Sequence, residues 1–317
     1  MGTNVTAIAE RSIAIGVMAY NEERNIRALL ESLLRQTCDD RIARIVVVAS
    51  GCTDRTCDIV EEFLPRDSRL ELITEGKRAG KIAAINTFLA TAAEPYLVVS
   101  CGDLIFRPDT IEKLCEPLGR EKIGMTGAHP VPINEKSTFP GFAVHLMWDL
   151  HHKIAQRDPK MGELIAFRNV LRSLPTEALC DELSVENQVR AANLDVAYVS
   201  EAAVFNKGPE TLSEFFRQRC RWIAANFQVI DDYHLHVSTM DASMLLKATL
   251  QYVRETKPRL DWLVAVAAIE FVARAKAYYD YHVARSRQKY RVWDPVGTTK
   301  HLDKMEREAV HKDLEAV

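Results

Sequence analysis

Long apolar runs are missing from this chain. The most apolar late stretch, Trp262 to Ala273, is interrupted by Glu270 and followed by Arg274 and Lys276. It falls short of the roughly 20 apolar residues that a membrane-spanning helix needs. A charge excess is missing too: 41 basic residues stand against 44 acidic ones. That removes the electrostatic case for a nucleic-acid partner. The seven cysteines are odd in number and scattered, with no CxxC pair. Neither a disulfide framework nor a structural zinc site is expected from them, and a reducing cytoplasm suits them best. The N-terminal stretch MGTNVTAIAERSIAIGVMAY lacks the basic region and apolar core of a signal peptide. No internal repeat or low-complexity segment stands out. What is present is bulk: 317 residues, 47% hydrophobic, enough for one large domain or two modest ones.

The first half alternates apolar runs with helical patterns. Ile13–Met18, Ile45–Val48, Leu70–Ile73 and Tyr96–Val99 read as strands. Helices are expected through Leu34, through Phe63 and from Lys81 to Ala92, with Asn21 as the first N-cap and Pro108 opening a later helix. This rhythm predicts an α/β fold with a mostly parallel sheet covered on both faces. After Met125 the pattern loosens. GAHPVPIN reads as a loop, Phe142–Ala155 as a helix and Met161–Arg168 as an edge strand. Val196–Ser200 and Ala203–Phe205 read as strands, and a long helix begins near Thr211. Beyond Tyr233 only helical patterns remain, ending in a charged tail. The expected division is residues 1–232 and a helical region 233–317.

The carboxyl ends of parallel strands share one edge, where α/β proteins place their sites. Here those ends read AYNEE, ASGCTD, GKRAGK and CGD. They would gather Asn21, Glu22, Asp54, Lys77, Arg78, Lys81 and Asp103. Basic side chains and helix N-termini beside a carboxylate suit a diphosphate and a divalent ion. Each piece alone has a plainer reading: Asn21 and Asp54 as caps, Lys77 and Arg78 as solvated surface. GKRAGK is not a Walker A loop, because Ile82 stands where Ser or Thr is required. Two later features join the set. Asp181 and Glu182 are adjacent carboxylates, one of which could serve as a general base or merely favour a helix start. Gln218, Arg221 and Trp222 in QRCRW share one helix face. They offer a guanidinium fork and a stacking surface, or alternatively a cation–aromatic pair that closes a core.

In this order, AYNEE, SGCTDRT, GKRAGKIAAIN, CGD, CDE and QRCRW resemble a family 2 glycosyltransferase of the GT-A fold, over residues 12–230. The tail RVWDPVGTTK resembles the end of some bacterial members. The resemblance implies an inverting transferase using a nucleotide-diphosphate sugar, most often a UDP-sugar, with Mg²⁺ or Mn²⁺. It implies that Ala19, Tyr20, Asn21, Glu22 and Ser50 line the base and ribose pocket, and that Lys81 lies near the donor. By the same carry-over Asp103 holds the metal, Asp181 or Glu182 is the base, and Gln218, Arg221 and Trp222 face the diphosphate and acceptor.

The chain departs from the family at three places. The metal motif is Cys101-Gly102-Asp103 instead of Asp-x-Asp. Ala49-Ser50 stand where an acidic residue usually ends the second strand. The acidic pair is in reversed order.

QxxRW is often seen in multi-span processive synthases. Without spans, transfer of one or a few hexosyl or N-acetylhexosaminyl units to a glycan, lipid-linked or small-molecule acceptor is expected. Localisation is expected to be cytoplasmic, with contact at the inner face of the membrane through Trp262, Leu263, Val266, Ile269 and Val272, though such a stripe more often packs into a protein's own core. His145 and His152 read as a solvated helix face. The competing reading is a nucleotide-binding module of the same fold that has lost catalysis. A nucleotidyltransferase lacks its Gly- and Arg-rich N-terminal signature here.

Overall fold

Alternation along the first strand sets the layering. Ile13, Ile15 and Val17 of β1 (Ile13–Ala19) enter one apolar layer, and Ala14 and Met18 enter the other. All five are at most 7% exposed, and burying an aliphatic side chain this fully stabilises by about 1.5–3 kcal/mol. The structure, a computed structural model, describes residues 7–292 and 296–300. The expected charged tail beyond 300 lies outside the described residues, as do positions 293–295 of the RVWDPVGTTK segment.

The first half follows as α1 (Ile26–Leu33), β2 (Ile42–Ser50), α2 (Thr56–Glu61), β3 (Leu70–Glu75), α3 (Lys81–Thr91) and β4 (Tyr96–Cys101). Then come β5 (Ile105–Phe106), α4 (Thr110–Cys115), β6 (Ile123–Pro132), α5 (Phe139–Ala155) and β7 (Ile165–Arg168). The chain continues as α6 (Asp181–Ala191), β8 (Asp195–Asn206), α7 (Leu212–Tyr233), α8 (Ala242–Thr256) and α9 (Leu260–Tyr278). The eight strands form one sheet in the order β3-β2-β1-β4-β7-β6-β8-β5. It is parallel from β3 to β4, and β7 runs antiparallel to both its neighbours. Two reversals restore direction, so β6 and β8, parallel to each other, point the same way as β1–β4. Their carboxyl ends therefore share one edge.

Several sequence expectations are corrected. GAHPVPIN is not a loop: most of it is the second half of β6. Pro130 and Pro132 are tolerated because the β7 side ends at Ala128, whose N–H bonds the Leu164 carbonyl at 3.0 Å, so beyond it the strand is paired with β8 on one side alone. A strand can carry proline where its N–H side is free. Residues 165–168 are not an edge strand but sit between β4 and β6. The two short runs at 196–205 are one strand, β8. Asn21 does not cap α1, whose cap position is Asn25, and α4 starts at Thr110 after Asp109, not at Pro108. Among the described residues no helix is long and apolar enough to cross a membrane.

Helices α8 and α9 share an apolar cluster with α5 and α7, through Trp148, Phe215, Tyr252 and Val266. A bidentate ion pair from Arg219 to Glu270, at 2.8 and 2.9 Å, ties α7 to α9.

Candidate active site

The loop after β1 turns sharply at Asn21, whose φ of 52° is left-handed. Its carboxamide oxygen accepts the Thr53 N–H at 2.8 Å. Glu22 N–H donates to Thr56 Oγ1 at 2.7 Å and Glu23 N–H to Asp54 Oδ2 at 3.1 Å. These bonds sew the ends of β1 and β2 together, and Asp54 also caps α2, its Oδ1 accepting the Thr56 N–H at 3.0 Å. Gly51 permits the next contact: at φ 67° a Cβ there would lie 2.3 Å from Arg78 N. The Arg78 guanidinium stacks 4.1 Å from the Tyr20 ring centroid, while Lys77 is exposed. Ala19 and Ser50 are buried at the strand ends, and Ser50 Oγ is buried without a hydrogen-bond partner.

Lys81 opens α3 and its ammonium lies 2.7 Å from Asp181 Oδ2 and 4.0 Å from Glu182 Oε1. The two acids occupy the first turn of α6, where the helix dipole favours negative charge. Burial acts against the Lys81 charge, yet Asp181 and its neighbours outweigh burial and hold Lys81 well above its ordinary value. The acids differ. Burial and the charge of Glu182 push Asp181 up. Burial also acts to raise Glu182, but Lys81 and the Cys180 thiol, 3.0 Å from Oε2, overcome it and hold this carboxylate anionic.

Asp103 follows β4 in a crowd of carboxylates. Gly102 allows it, because a Cβ there would come within 2.8 Å of Glu22 Cγ. Glu22, 4% exposed, is pushed up to about 8 by burial and then by the charge of Asp103, with Lys300 opposing. Glu163, just ahead of β7 at φ 57°, is pushed up to about 7 by burial and again by Asp103. Burial lowers Arg221, against the pull of Glu182, Glu163 and Asp181, which places its guanidinium among the acids. Gln218 Oε1 is buried without a partner. Trp222 behaves differently. Its ring packs 5.5 Å from Trp148, and Arg219, not Arg221, lies 5.7 Å from it. The cation–aromatic pair that closes a core is thus Arg219 with Trp222, and Trp222 stands in the apolar cluster of α5, α8 and α9.

Glu163 and Lys300 were missed in the sequence. The one available signal for Glu163 was a lone acid between Gly162 and an apolar strand. For Lys300 the signal was the tail RVWDPVGTTK, which it ends, but the tail's likeness to bacterial members gave it no role, and it arrives from nearly 280 residues away in the chain. The histidines also differ from expectation. His145 Nε2 bonds the Asn134 carbonyl at 2.8 Å, and His152 bonds Tyr198 Oη at 2.8 Å while stacking on His129. They are half-buried, not a solvated face. Together with Lys136, Trp148 and Asp149, His129 and His145 line a cleft of about 370 Å³ at the carboxyl end of β6.

Asp103, Glu22 and Glu163 offer hard oxygen donors, while the thiols of Cys101 and Cys180 are pushed far up by burial. Among the described residues no three metal-ligating side chains converge as a closed cage. Glu22 and Glu163, raised first by burial and then by the charge of Asp103, form with Asp103 a crowded set of acidic oxygens. That set fits a divalent ion held by one or two carboxylates and completed by phosphate oxygens, as Mg²⁺ commonly is.

The profile of glycosyl transferase family 2 matches residues 14–169. The chain belongs to that family. Among curated relatives of this family 2 member, glycosyltransferase GlyA of Streptococcus pneumoniae is 24% identical over 207 residues, 65% of this chain and 29% of its own length. The poly-beta-1,6-N-acetyl-D-glucosamine synthase of Staphylococcus epidermidis is 20% identical over 248 residues, 74% of this chain and 59% of its own length. The chain thus spans less than two thirds of either relative. The mannosyltransferase PcManGT from Pyrobaculum calidifontis, solved with GDP-Man and Mn²⁺, superposes with a TM-score of 0.57 at 20% identity, over 97% of this chain and 88% of that one. Glucosyl-3-phosphoglycerate synthase from Mycobacterium tuberculosis, solved with Mn²⁺ and UDP-glucose, superposes with a TM-score of 0.51 at 19% identity, over 72% and 81%. These likenesses establish the GT-A fold of this family 2 chain.

Proposed function

We propose that this chain is an inverting glycosyltransferase. It moves a hexosyl or N-acetylhexosaminyl unit from a nucleotide-diphosphate donor, a UDP-sugar by first choice, to a hydroxyl of a glycan, lipid-linked or small-molecule acceptor. Residues 1–232 are the transferase unit in this reading, and 233–317 its helical extension. The observation that carries it is the convergence of Lys81, Asp103, Asp181, Glu182 and Arg221 on one sheet edge, around a crowded set of buried carboxylates.

Roles follow from the local chemistry. Tyr20, Asn21 and the unpartnered Ser50 hydroxyl line the nucleoside end, with Ala19 as its apolar floor. Lys81, Arg221 and Gln218 face the diphosphate. Asp103 would hold Mg²⁺ or Mn²⁺, which when bound supplies positive charge to the leaving diphosphate. Asp181 takes the acceptor proton, since its proton affinity is raised toward neutral pH and a base works best there. Asp181, 2.7 Å away, is the main partner that keeps Lys81 charged and in place, and Glu182, held anionic at 4.0 Å, is the second.

The acceptor enters beside the β6 cleft, next to this edge. The outward face of α9, where Leu260, Val264, Phe271 and Val272 are 54–73% exposed, rests on an anionic membrane surface on the cytoplasmic side. Lys257, exposed just ahead of α9, adds positive charge beside it. The stripe of Trp262, Leu263, Val266 and Ile269 instead packs inward. Donor turnover tests the reading. Hydrolysis or transfer from a UDP- or GDP-sugar with Mn²⁺, lost in Asp103→Ala, supports it. Nucleotide binding with no turnover of any donor in the presence of acceptor extract would favour the lapsed binding module instead. Co-sedimentation with anionic vesicles, abolished by Val264→Asp with Phe271→Asp, tests the membrane face.

A further inference from the structure

Two buried polar atoms stand unused at the ends of neighbouring strands. Ser50, the last residue of β2, is 5% exposed, and its Oγ has no hydrogen-bond partner among the described residues. Glu75, the last residue of β3, has a buried Oε2 in the same condition. The two are register partners in parallel strands, so their side chains leave the sheet on one face. That face belongs to α3. Val48 and Ile73, two residues earlier, enter the apolar layer that holds Ala84, Ile85 and Phe88. Thr87 of α3 donates to Glu75 Oε1 at 2.7 Å. One carboxylate oxygen is thus fixed from α3, and the other is left over.

Buried polar groups are nearly always hydrogen-bonded, and leaving one unmade costs more than an average bond gains. Two such groups side by side, at the edge where the site lies, point to a ligand. The surrounding corner suits a flat one. Gly51, whose N–H donates to the Glu75 carbonyl at 3.0 Å, lets the backbone of Lys77 and Arg78 pass close by. The Arg78 guanidinium lies 4.1 Å from the Tyr20 ring centroid, so both walls carry planar groups. On the other side of Glu75 there is room, since a Cβ at Gly76 would meet nothing within 4 Å.

A hydroxyl donates or accepts, whereas a carboxylate only accepts. We propose that Ser50 and Glu75 together read the donor's nucleobase: the Ser50 hydroxyl donates to a ring carbonyl oxygen, and Glu75 Oε2 accepts the adjacent ring N–H. Uracil and thymine present that pair as O4 and N3–H, and guanine as O6 and N1–H. Cytosine and adenine turn a ring nitrogen lone pair toward the same carboxylate and are rejected. β3 thus supplies, at this corner, the acid that β2 lacks at Ala49-Ser50. The proposal rests on the transferase reading above and narrows its donors to uridine, thymidine or guanosine diphosphate sugars.

The test is calorimetric binding of UDP, TDP, GDP, CDP and ADP with Mn²⁺ to wild type, Glu75→Gln and Ser50→Ala. Wild type should bind one of the first three at least about 10-fold more tightly than CDP and ADP, the discrimination expected of a matched hydrogen-bond pair. In Glu75→Gln the carboxamide oxygen can keep the Thr87 bond, which turns its NH₂ toward the base. The preferred diphosphate should then lose about 10- to 100-fold, the range of a hydrogen bond to a charged group, while CDP tightens. Ser50→Ala, the gentler change, should lower the preference over CDP by about 3- to 10-fold. If Glu75→Gln does not fold, Ser50→Ala decides alone. An unchanged ratio of preferred diphosphate to CDP in the folded variants overturns the proposal, as does an equal loss for every base. Wild type binding CDP or ADP as tightly as the others also overturns it, and the transferase reading survives. If wild type binds none of the five, both fail.

Discussion

Two regions of this molecule use the same residue types to opposite effect. On the outer strands, Arg44 pairs with Glu71 at 2.7 Å on both guanidinium nitrogens, and Arg69 pairs with Asp67 at 2.5–3.2 Å. Those pairings lower Asp67 and Glu71 below the usual carboxylate range. At the carboxyl edge, Glu22 and Glu163 are pushed up to about 8 and about 7. The outer carboxylates have matched partners and the inner ones crowd each other. Structural ion pairs satisfy themselves, whereas a site for a charged ligand leaves part of its field unmet until the ligand arrives.

Four tests, the first on a pair of residues, probe this contrast, ordered from the largest expected effect. Asp181→Asn removes the proposed base and the nearer partner of Lys81, and should lower turnover by about 10²–10⁴-fold, with a smaller change in donor affinity. Glu182→Gln should instead act mainly on donor affinity through Lys81. Steady-state kinetics with both variants separate the two roles, and full turnover in both would remove the pair from the chemistry. Next, Glu270→Ala breaks the α7–α9 pair and leaves Arg219 buried. It should destabilise by about 3–5 kcal/mol in urea unfolding, with nucleotide affinity unchanged in the folded protein.

The third concerns His151 of α5, which is 9% exposed and whose imidazole burial pushes down to about 3. A depressed histidine is neutral when folded and takes a proton when unfolded. Its contribution is present above about 6.5 and is lost as pH falls toward 3. At pH 5 that loss is about 2 kcal/mol, by one pKa unit to about 1.4 kcal/mol. His151→Leu should therefore flatten the acid limb of a stability–pH curve between those values. The smallest effect is at the outer pair. Glu71→Gln should cost about 0.2–1 kcal/mol and leave turnover untouched. A large activity loss there would erase the distinction between the two regions.

Much of the donor half was legible in the sequence. Apolar runs named β1–β4, and the polar residues that end them named Lys81 and Asp103 for the shared edge. The adjacent acids of α6 and the helix carrying QRCRW were also found. What was not legible has physical reasons. The prolines of β6 disguise a strand whose open side needs no N–H. Glu163 carries no periodic signal, and only the reversal of β7 turns it toward Asp103. Lys300 closes the tail motif RVWDPVGTTK, but its place in the site depends on tertiary fastening of Thr298 to Glu214 and of Thr299 to Asn25, which the motif alone does not locate. Trp222 shares a helix with Arg221, but α5 and α9 draw its ring into their own core.

The most direct test of the central claim is calorimetric titration of UDP, GDP, TDP and CDP, each with and without Mn²⁺, into wild type and Asp103→Ala. The account predicts that one diphosphate binds, that Mn²⁺ tightens it, and that Asp103→Ala abolishes the tightening. Absence of binding for all four, or binding indifferent to both Mn²⁺ and Asp103, would contradict the assignment of the carboxyl edge as a nucleotide-diphosphate site.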